Sequence, residues 1–197
     1  MEKDFYKNLA VRLEKYDISL LVNNVGLGGD SRVMISGDHD GLHETVTVNC
    51  TNSLLMTKIF LERALKRNKK CGHIELSSIS STAPYEKREL YSATKMFNRR
   101  WGQCLIDGYG DKLDVLILRP GYAKTALTGQ RKVDYVTCLP EETVEAAMKA
   151  LGNLEESFGH VKHVIFGNII GMIHFFVPFE LAKAVIRKVH AGFKSKA

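Results

Sequence analysis

Apolar positions along the chain recur with two alternating periods. Phe5, Leu9, Leu13 and Tyr16 share one face of a helix over Asp4 to Tyr16. Ile18 to Val22 is a short run of the buried-strand kind, and it leads into the turn-rich Asn23-Asn24-Val25-Gly26-Leu27-Gly28-Gly29. Val46, Cys50, Leu54, Leu61 and Leu65 predict one long helix from about Leu42 to Lys66, which Gly72 closes off. His73 to Leu76 then enters a strand that finishes in serines. Tyr91 to Leu105 carries Phe97, Trp101 and Leu105 at four-residue steps and reads as a helix. Asp114 to Leu118 is almost purely aliphatic and predicts a strand buried on both faces, stopped at Arg119-Pro120-Gly121. Tyr122 to Leu139 reads as a loop with room for one short helix. Pro140 opens a further helix, with Glu141 and Glu142 near the positive end of its dipole. His163 to Phe166 reads as a last strand, and Phe179 to Val189 as a basic amphipathic helix.

Helices alternating with wholly apolar strands predict an α/β fold: a parallel sheet covered by helices on both faces. In such sheets ligands bind beyond the carboxyl ends of the strands. Three polar or turn-forming pairs stand at those places: Asn23-Asn24, Ser77-Ser78 and Pro120-Gly121.

Composition narrows the class without naming a chemistry. The 197 residues are 45% hydrophobic and 25% charged, which suits one globular domain and excludes a disordered, collagenous or coiled-coil chain. No apolar run approaches the roughly 18–20 residues of a membrane span. The longest, Ile169 to Phe179, holds His174 and Pro178 and reads either as core or as a lipid-facing surface. The charged start MEKDFYKNL has no signal-peptide core. Cys50, Cys71, Cys104 and Cys138 form no CxxC pair, so a reducing, intracellular setting is expected. His39 and His43 stand four apart without a third ligand in pattern, so no metal is expected. The net charge of +6 is concentrated in Lys58 to Lys70 and from Leu181 onward, where five basic residues meet no acidic one. These clusters read as solvated helix faces or as contacts to an anionic lipid surface. No nucleic-acid partner is expected.

Tyr91-Ser92-Ala93-Thr94-Lys95 carries the clearest chemistry. A Tyr and a Lys four apart on a helix share a face. A phenol's ordinary pKa near 10 is too high for efficient proton exchange at neutral pH, and a neighbouring ammonium lowers it. Ser78, thirteen residues before Tyr91 at a strand end, can polarise a carbonyl oxygen beside the phenol.

Asn23-Asn24-Val25-Gly26, Asn49, Ser78, Tyr91, Lys95 and Pro120-Gly121 with Thr125 follow one another in the order of the short-chain dehydrogenase/reductase family, which the chain resembles from about Ile18 to Thr125. Asn23-Asn24-Val25-Gly26 is similar to that family's N-N-A-G element, with Val for the usual Ala. Asn49, Ser78, Tyr91 and Lys95 are similar to its Asn–Ser–Tyr–Lys tetrad. The branch resembled most is that of the 17β-hydroxysteroid dehydrogenases and very-long-chain 3-oxoacyl-CoA reductases, which favour NADPH and work at the endoplasmic reticulum. The resemblance implies a Rossmann-like, doubly wound parallel sheet. It implies hydride transfer between NADP, with NAD not excluded, and a small hydrophobic carbonyl or alcohol substrate. Tyr91 would be the proton donor and Ser78 the substrate-oxygen partner. Lys95 would tune the phenol and hold the nicotinamide ribose, and Asn49 would support a proton-relay water. Asn23 and Gly26 would line the adenosine side, and Pro120, Gly121 and Thr125 the carboxamide end of the nicotinamide. Asn49 also reads as an ordinary helix polar residue and Thr125 as a turn former. The alternative function is an inactive family remnant acting as a binding or lipid-surface protein.

The family's opening T-G-x-x-x-G-x-G turn, which carries the pyrophosphate, has no counterpart here. Residues 1–197 therefore read as a single family domain, short at its N-terminus, with Ile18 to Val22 left as an exposed apolar edge. Losing about two charge-assisted hydrogen bonds to the pyrophosphate implies dinucleotide binding weakened roughly 10²–10⁴-fold in residues 1–197 by themselves. The helices around Asn49 and Tyr91 resemble the pair through which family members form homodimers. Phe97 and Trp101 fit that role and fit inward packing equally.

Overall fold

The computed structural model describes residues 4–28, 39–84, 88–129, 131–178, 180–182, 184–186 and 188. Gly29 of the glycine-rich turn, parts of the helix expected over Phe179 to Val189 and the tail beyond it lie outside the described residues. Helix α1 (Phe5–Leu13) leads to β1 (Leu20–Asn23). Helix α2 (His39–Val46) runs through a π-helical turn (Thr47–Thr51) into α3 (Asn52–Ala64). Strand β2 (Cys71–Leu76), a 3₁₀ turn (Ile79–Ser81), α4 (Glu89–Tyr109) and β3 (Leu113–Leu118) follow. Two-residue strands β4 (Tyr122–Ala123) and β5 (Thr137–Cys138) bracket a second 3₁₀ turn (Ala126–Thr128). The last elements are α5 (Pro140–Ala150), β6 (Glu156–Ser157) and α6 (Val161–Phe176).

The strands form a parallel sheet in the order β1-β2-β3-β6, with Val22 beside Ile74 and Ile74 beside Leu116. Period-two alternation sorts β3 between two layers. Leu113 and Val115 join Cys71 of β2 against Phe60, Leu61, Ala64 and Leu105 of α3 and α4. Leu116 and Leu118 join Ile74 against Ala147 and Ala150 of α5. This is the expected α/β sandwich with helices on both faces. Among the described residues β1 is the outermost strand, and its Leu20 and Val22 are exposed.

Two expectations are corrected. His163 to Phe166 is not a strand; it is the first turn of α6, and the fourth strand of the sheet is β6, a few residues earlier. Gly159, at φ 73°, turns the chain out of β6, and His160 caps the new helix by accepting a hydrogen bond from Lys162 N–H at 3.1 Å. A short apolar run does not reveal its period, whereas the turn and cap decide it. The single helix from Leu42 to Lys66 is also interrupted, by the π turn centred on Asn49.

Trp101 packs inward against the Phe60–Leu105 layer, and that packing accounts for it without a dimer partner. On the same helix Gly102 permits the closest approach to the sheet: a Cβ there would lie 2.5 Å from Ile117 Cγ1. Gly→Ala in a helix interior ordinarily stabilises by about 1 kcal/mol. Here the sign should reverse, because overpacking costs about 1–3 kcal/mol. Thermal unfolding of Gly102→Ala is expected to show a lower Tm. Gly108→Ala, where nothing lies within 4 Å of the added Cβ, should be neutral or stabilising. Equal responses at both positions would contradict the close approach.

Candidate active site

The site sits where β1, β2 and β3 end. Ser78 follows β2 in extended conformation and caps the 3₁₀ turn, its Oγ accepting from Ser80 N–H at 3.2 Å. Tyr91 and Lys95 lie one turn apart near the start of α4, and Ser77 pins that turn by donating its hydroxyl to the Lys95 carbonyl at 2.6 Å. Lys95 Nζ stands 5.9 Å from the Tyr91 ring centroid and donates to the Leu76 carbonyl at 2.8 Å. That bond uses one of three ammonium hydrogens, so the group keeps donor capacity toward the cleft.

Asn49 comes from the π turn. Its Oδ1 accepts from Leu27 N–H at 2.7 Å, and its Nδ2 donates to the Leu27 carbonyl at 3.0 Å and to Thr94 Oγ1 at 2.9 Å. The amide grips the loop after β1 as a neighbouring strand would. The backbone carbonyl of Asn49 accepts from Asn98 Nδ2 at 2.9 Å. Gly26 is thereby laid against the site: a Cβ on it would be 3.4 Å from both Asn49 Oδ1 and Lys95 Nζ. π turns recur at functional sites because they re-aim side chains and carbonyls from the regular helix.

The remaining expected residues fall into two groups. Pro120, Gly121 and Thr125 line the exit of β3. The Pro120 carbonyl accepts from Ile79 N–H at 3.0 Å, which ties this exit to the turn after Ser78. Gly121 lies against the His163 ring, where a Cβ would come within 2.7 Å, and Thr125 starts the second 3₁₀ turn in a reciprocal pair with Thr128. Asn23 is different. Its side-chain amide is buried and directed into the protein, donating to Ser53 Oγ, Thr57 Oγ1 and Glu75 Oε2 at 3.0–3.2 Å. Only its backbone is available to a ligand in the cleft.

The electrostatics revise one expectation. Burial pushes the Tyr91 phenol above its ordinary value; the Ser78 hydroxyl and the Arg88 guanidinium pull it back. Arg88, whose Cζ lies 5.9 Å from the ring centroid, therefore does work expected of Lys95. Lys95 is itself lowered to about 8, first by burial, with the Glu75 carboxylate and Cys50 opposing. The pattern reading missed Arg88, Glu75 and Asn98. Arg88 precedes Tyr91 by three residues, a spacing that could have flagged it. Glu75 was visible as a lone acid in an aliphatic strand.

Among the described residues no group of three His, Cys, Asp or Glu side chains could hold a metal, and no helix is long and apolar enough to cross a membrane. All four cysteines are free.

The model of the short chain dehydrogenase family matches residues 2–135, and the chain belongs to that family. It is 28% identical over 175 residues to a 17-beta-hydroxysteroid dehydrogenase type 3 of Danio rerio, covering 86% of this chain and 57% of the relative. It is 26% identical over 198 residues to a very-long-chain 3-oxoacyl-CoA reductase of Homo sapiens, covering 98% of this chain and 63% of the relative. The chain thus spans about three-fifths of the length of these relatives. The fold superposes on a short chain dehydrogenase from Burkholderia cenocepacia J2315 in complex with NADP, with TM-score 0.74 and 20% identity over 90% of this chain and 77% of that one. It also superposes on a 7beta-hydroxysteroid dehydrogenase, with TM-score 0.77 and 13% identity over 93% of this chain and 72% of that one.

Proposed function

We propose that the protein is an NADP(H)-dependent oxidoreductase that interconverts a carbonyl and an alcohol on a small hydrophobic substrate of steroid or 3-oxoacyl type, with NAD as the less favoured cofactor. The observation that carries the reading is the meeting of Ser78, Tyr91, Lys95 and the Asn49 clamp at the carboxyl ends of β1 and β2. The names of the relatives support the substrate class, and solved neighbours holding NADP or NADPH support the cofactor.

The residues present fit a nicotinamide dinucleotide. Lys95 has ammonium hydrogens to spare for ribose hydroxyls, and the Gly26 backbone lies close beside its Nζ and the Asn49 amide. Pro120, Gly121 and Thr125 would meet the carboxamide end of the nicotinamide. When bound, the cofactor supplies or accepts the hydride. The protein's own part is proton transfer and orientation. Ser78 Oγ donates to the substrate oxygen. Tyr91, held protonated at neutral pH by burial, gives its phenolic proton to that oxygen as negative charge develops on it. The neighbouring Arg88 and Lys95 cations stabilise the phenolate left behind.

The test is NADPH oxidation with a panel of steroid ketones and long-chain 3-oxoacyl thioesters, read beside NADPH fluorescence titration. Weak NADPH binding and, at most, slow turnover on one or more members are expected of residues 1–197 by themselves. Absence of both turnover and binding across the panel would favour the inactive-remnant reading instead. Light scattering at micromolar concentration is expected to report a homodimer, and a monomer mass would count against it.

A peripheral contact with an anionic membrane belongs to the same reading. Val161, Ile165, Ile169, Met172 and Phe176 form an exposed apolar stripe along α6 at three- and four-residue steps. Residues 157–197 hold six Lys or Arg and one acid, Glu180, so five of the six net positive charges of the chain lie there. An apolar stripe in a basic stretch of sequence suits an anionic lipid surface. Free cysteines favour an intracellular, cytoplasmic or endoplasmic reticulum, face. The protein should float with phosphatidylserine-containing vesicles and less with pure phosphatidylcholine, and Ile165→Asp with Ile169→Asp should abolish flotation. Flotation with neither vesicle would remove the membrane contact. A concentration-dependent dimer broken by the same substitutions would assign the stripe to self-association.

A further inference from the structure

Glu75 stands in the middle of β2 on the face that packs against α3 and α4, completely buried, and the reading above gives it no part. Its neighbours on that face in β2 and β3 are Cys71, Val115, its register partner Ile117 and the half-polar His73. A carboxylate in such a layer is costly unless its lone pairs are filled and its charge is answered. The lone pairs are filled from four elements. Ser53 Oγ of α3 donates at 2.8 Å to Oε1 and lies 2.9 Å from Oε2. Asn23 Nδ2 of β1 donates to Oε2 at 3.0 Å, and Asn98 Nδ2 of α4 donates to Oε1 at 2.9 Å. His73 Nε2 of β2 is 3.2 Å from Oε2.

None of the amide or hydroxyl donors carries charge. The titratable groups around the carboxylate are His73 on its own strand, Cys50 on the π turn and Lys95 on α4. Among these Lys95 is the ammonium group, and it is also the group that the site uses.

Asn98 makes the link geometric as well as electrostatic. The same Nδ2 that donates to Glu75 also donates to the Asn49 carbonyl, whose side chain grips Leu27 beside Lys95. One carboxylate thus collects β1, β2, α3 and α4 behind the cleft.

We propose that Glu75 is a positioning residue for Lys95: it locks together the elements that carry Asn49 and Lys95, and supplies the negative charge that faces Lys95 from inside the protein. The proposal rests on the oxidoreductase reading for the use made of Lys95, but its test does not. Burial drives the Lys95 ammonium down, and Glu75 is the first of the groups that oppose it. Removing the charge while keeping the shape should let Lys95 fall further.

The experiment is the pH titration of Lys95 in protein labelled with ¹³C at lysine Cε, read by NMR without cofactor or substrate. In the native protein the Lys95 midpoint is expected near 8. In Glu75→Gln it should drop by about 1 unit or more, the usual influence of one nearby opposite charge, and Glu75→Asp should restore most of it. A Gln variant with an unmoved midpoint overturns the proposal. If neither variant folds, the native protein decides: its Glu75 carboxyl ¹³C signal should move as Lys95 titrates, and a signal indifferent to that titration overturns the proposal equally. NADPH turnover of the native protein is measured separately. Absent turnover with an intact Glu75-dependent midpoint would defeat the oxidoreductase reading and leave the pairing standing.

Discussion

Tyr91→Phe is expected to fold normally and to lose nearly all turnover, by about 10²–10⁴-fold, the usual contribution of a positioned acid or base. The fold should survive because only the phenolic oxygen is removed. The ring that lies near Lys95 and Arg88 stays, and Ser78 keeps its bond from Ser80 N–H. Circular dichroism and Tm check the first part, and kcat for carbonyl reduction the second. A Phe variant that keeps more than half the activity would remove Tyr91 from the role of proton donor. The pH profile adds a sign. In the reduction direction Tyr91 must be protonated and its phenolate must meet cations. The phenol, raised by burial, stays protonated past the point where Lys95, at about 8, loses its charge. The fall of kcat on the alkaline side should therefore follow Lys95, with a midpoint near 8, rather than the phenol.

Lys95 also affects stability, in a direction set by its lowered value. Between about 8 and the ordinary 10.5 the unfolded chain holds a proton on this lysine that the folded chain has released. Stability contributed by this group therefore rises with pH across that window, and below it the buried ammonium is a standing cost.

Asn49→Ala should have the second largest effect, on two readouts at once. It removes three hydrogen bonds, two to the Leu27 backbone and one to Thr94. The loss of stability should be about 1–3 kcal/mol, the cost of leaving such groups without partners. Turnover should fall by about 10²-fold, since misplacing a site element by an ångström costs that much. Asn49→Asp tells the two apart. It keeps the acceptor for Leu27 N–H and loses the donor, so stability should be partly regained. It also places a carboxylate beside Lys95, which should move the alkaline limb upward. Wild-type turnover in the Ala variant would reduce Asn49 to an ordinary polar residue of the helix.

How far the sequence could be read depended on the scale of the physics involved. Strands and helices followed from apolar periodicity because β3 is buried on both faces and α4 on one, so their patterns are nearly pure. The Ser78, Tyr91 and Lys95 grouping was legible because strand ends and a one-turn helical spacing are local facts. The π turn was not, since Thr47 to Thr51 contains neither Pro nor Gly and its extra residue is held by tertiary bonds from Leu27, Thr94 and Asn98. The first turn of α6 was misread because His163 to Phe166 is too short to display a period. Asn23 was placed in the cleft by resemblance, while the side chain answers Glu75, fifty-two residues away in sequence. Long-range polar pairing of that kind has no local signature.

The π turn has a bearing on how this segment can change in length. A regular helix cannot lose one residue without rotating everything beyond it by about 100° relative to its partners. Thr47–Thr51 already contains one residue more than α-helical winding needs. A single deletion there would relax the turn to ordinary pitch and leave α2 and α3 in register with the rest of the fold. The scaffold would tolerate it, while the carbonyl and amide of Asn49 would be drawn back into the helix ladder and away from Leu27. Length variation at this one place is therefore cheap for folding and expensive for chemistry, so an insertion–deletion scan across α2 and α3 would separate the two demands.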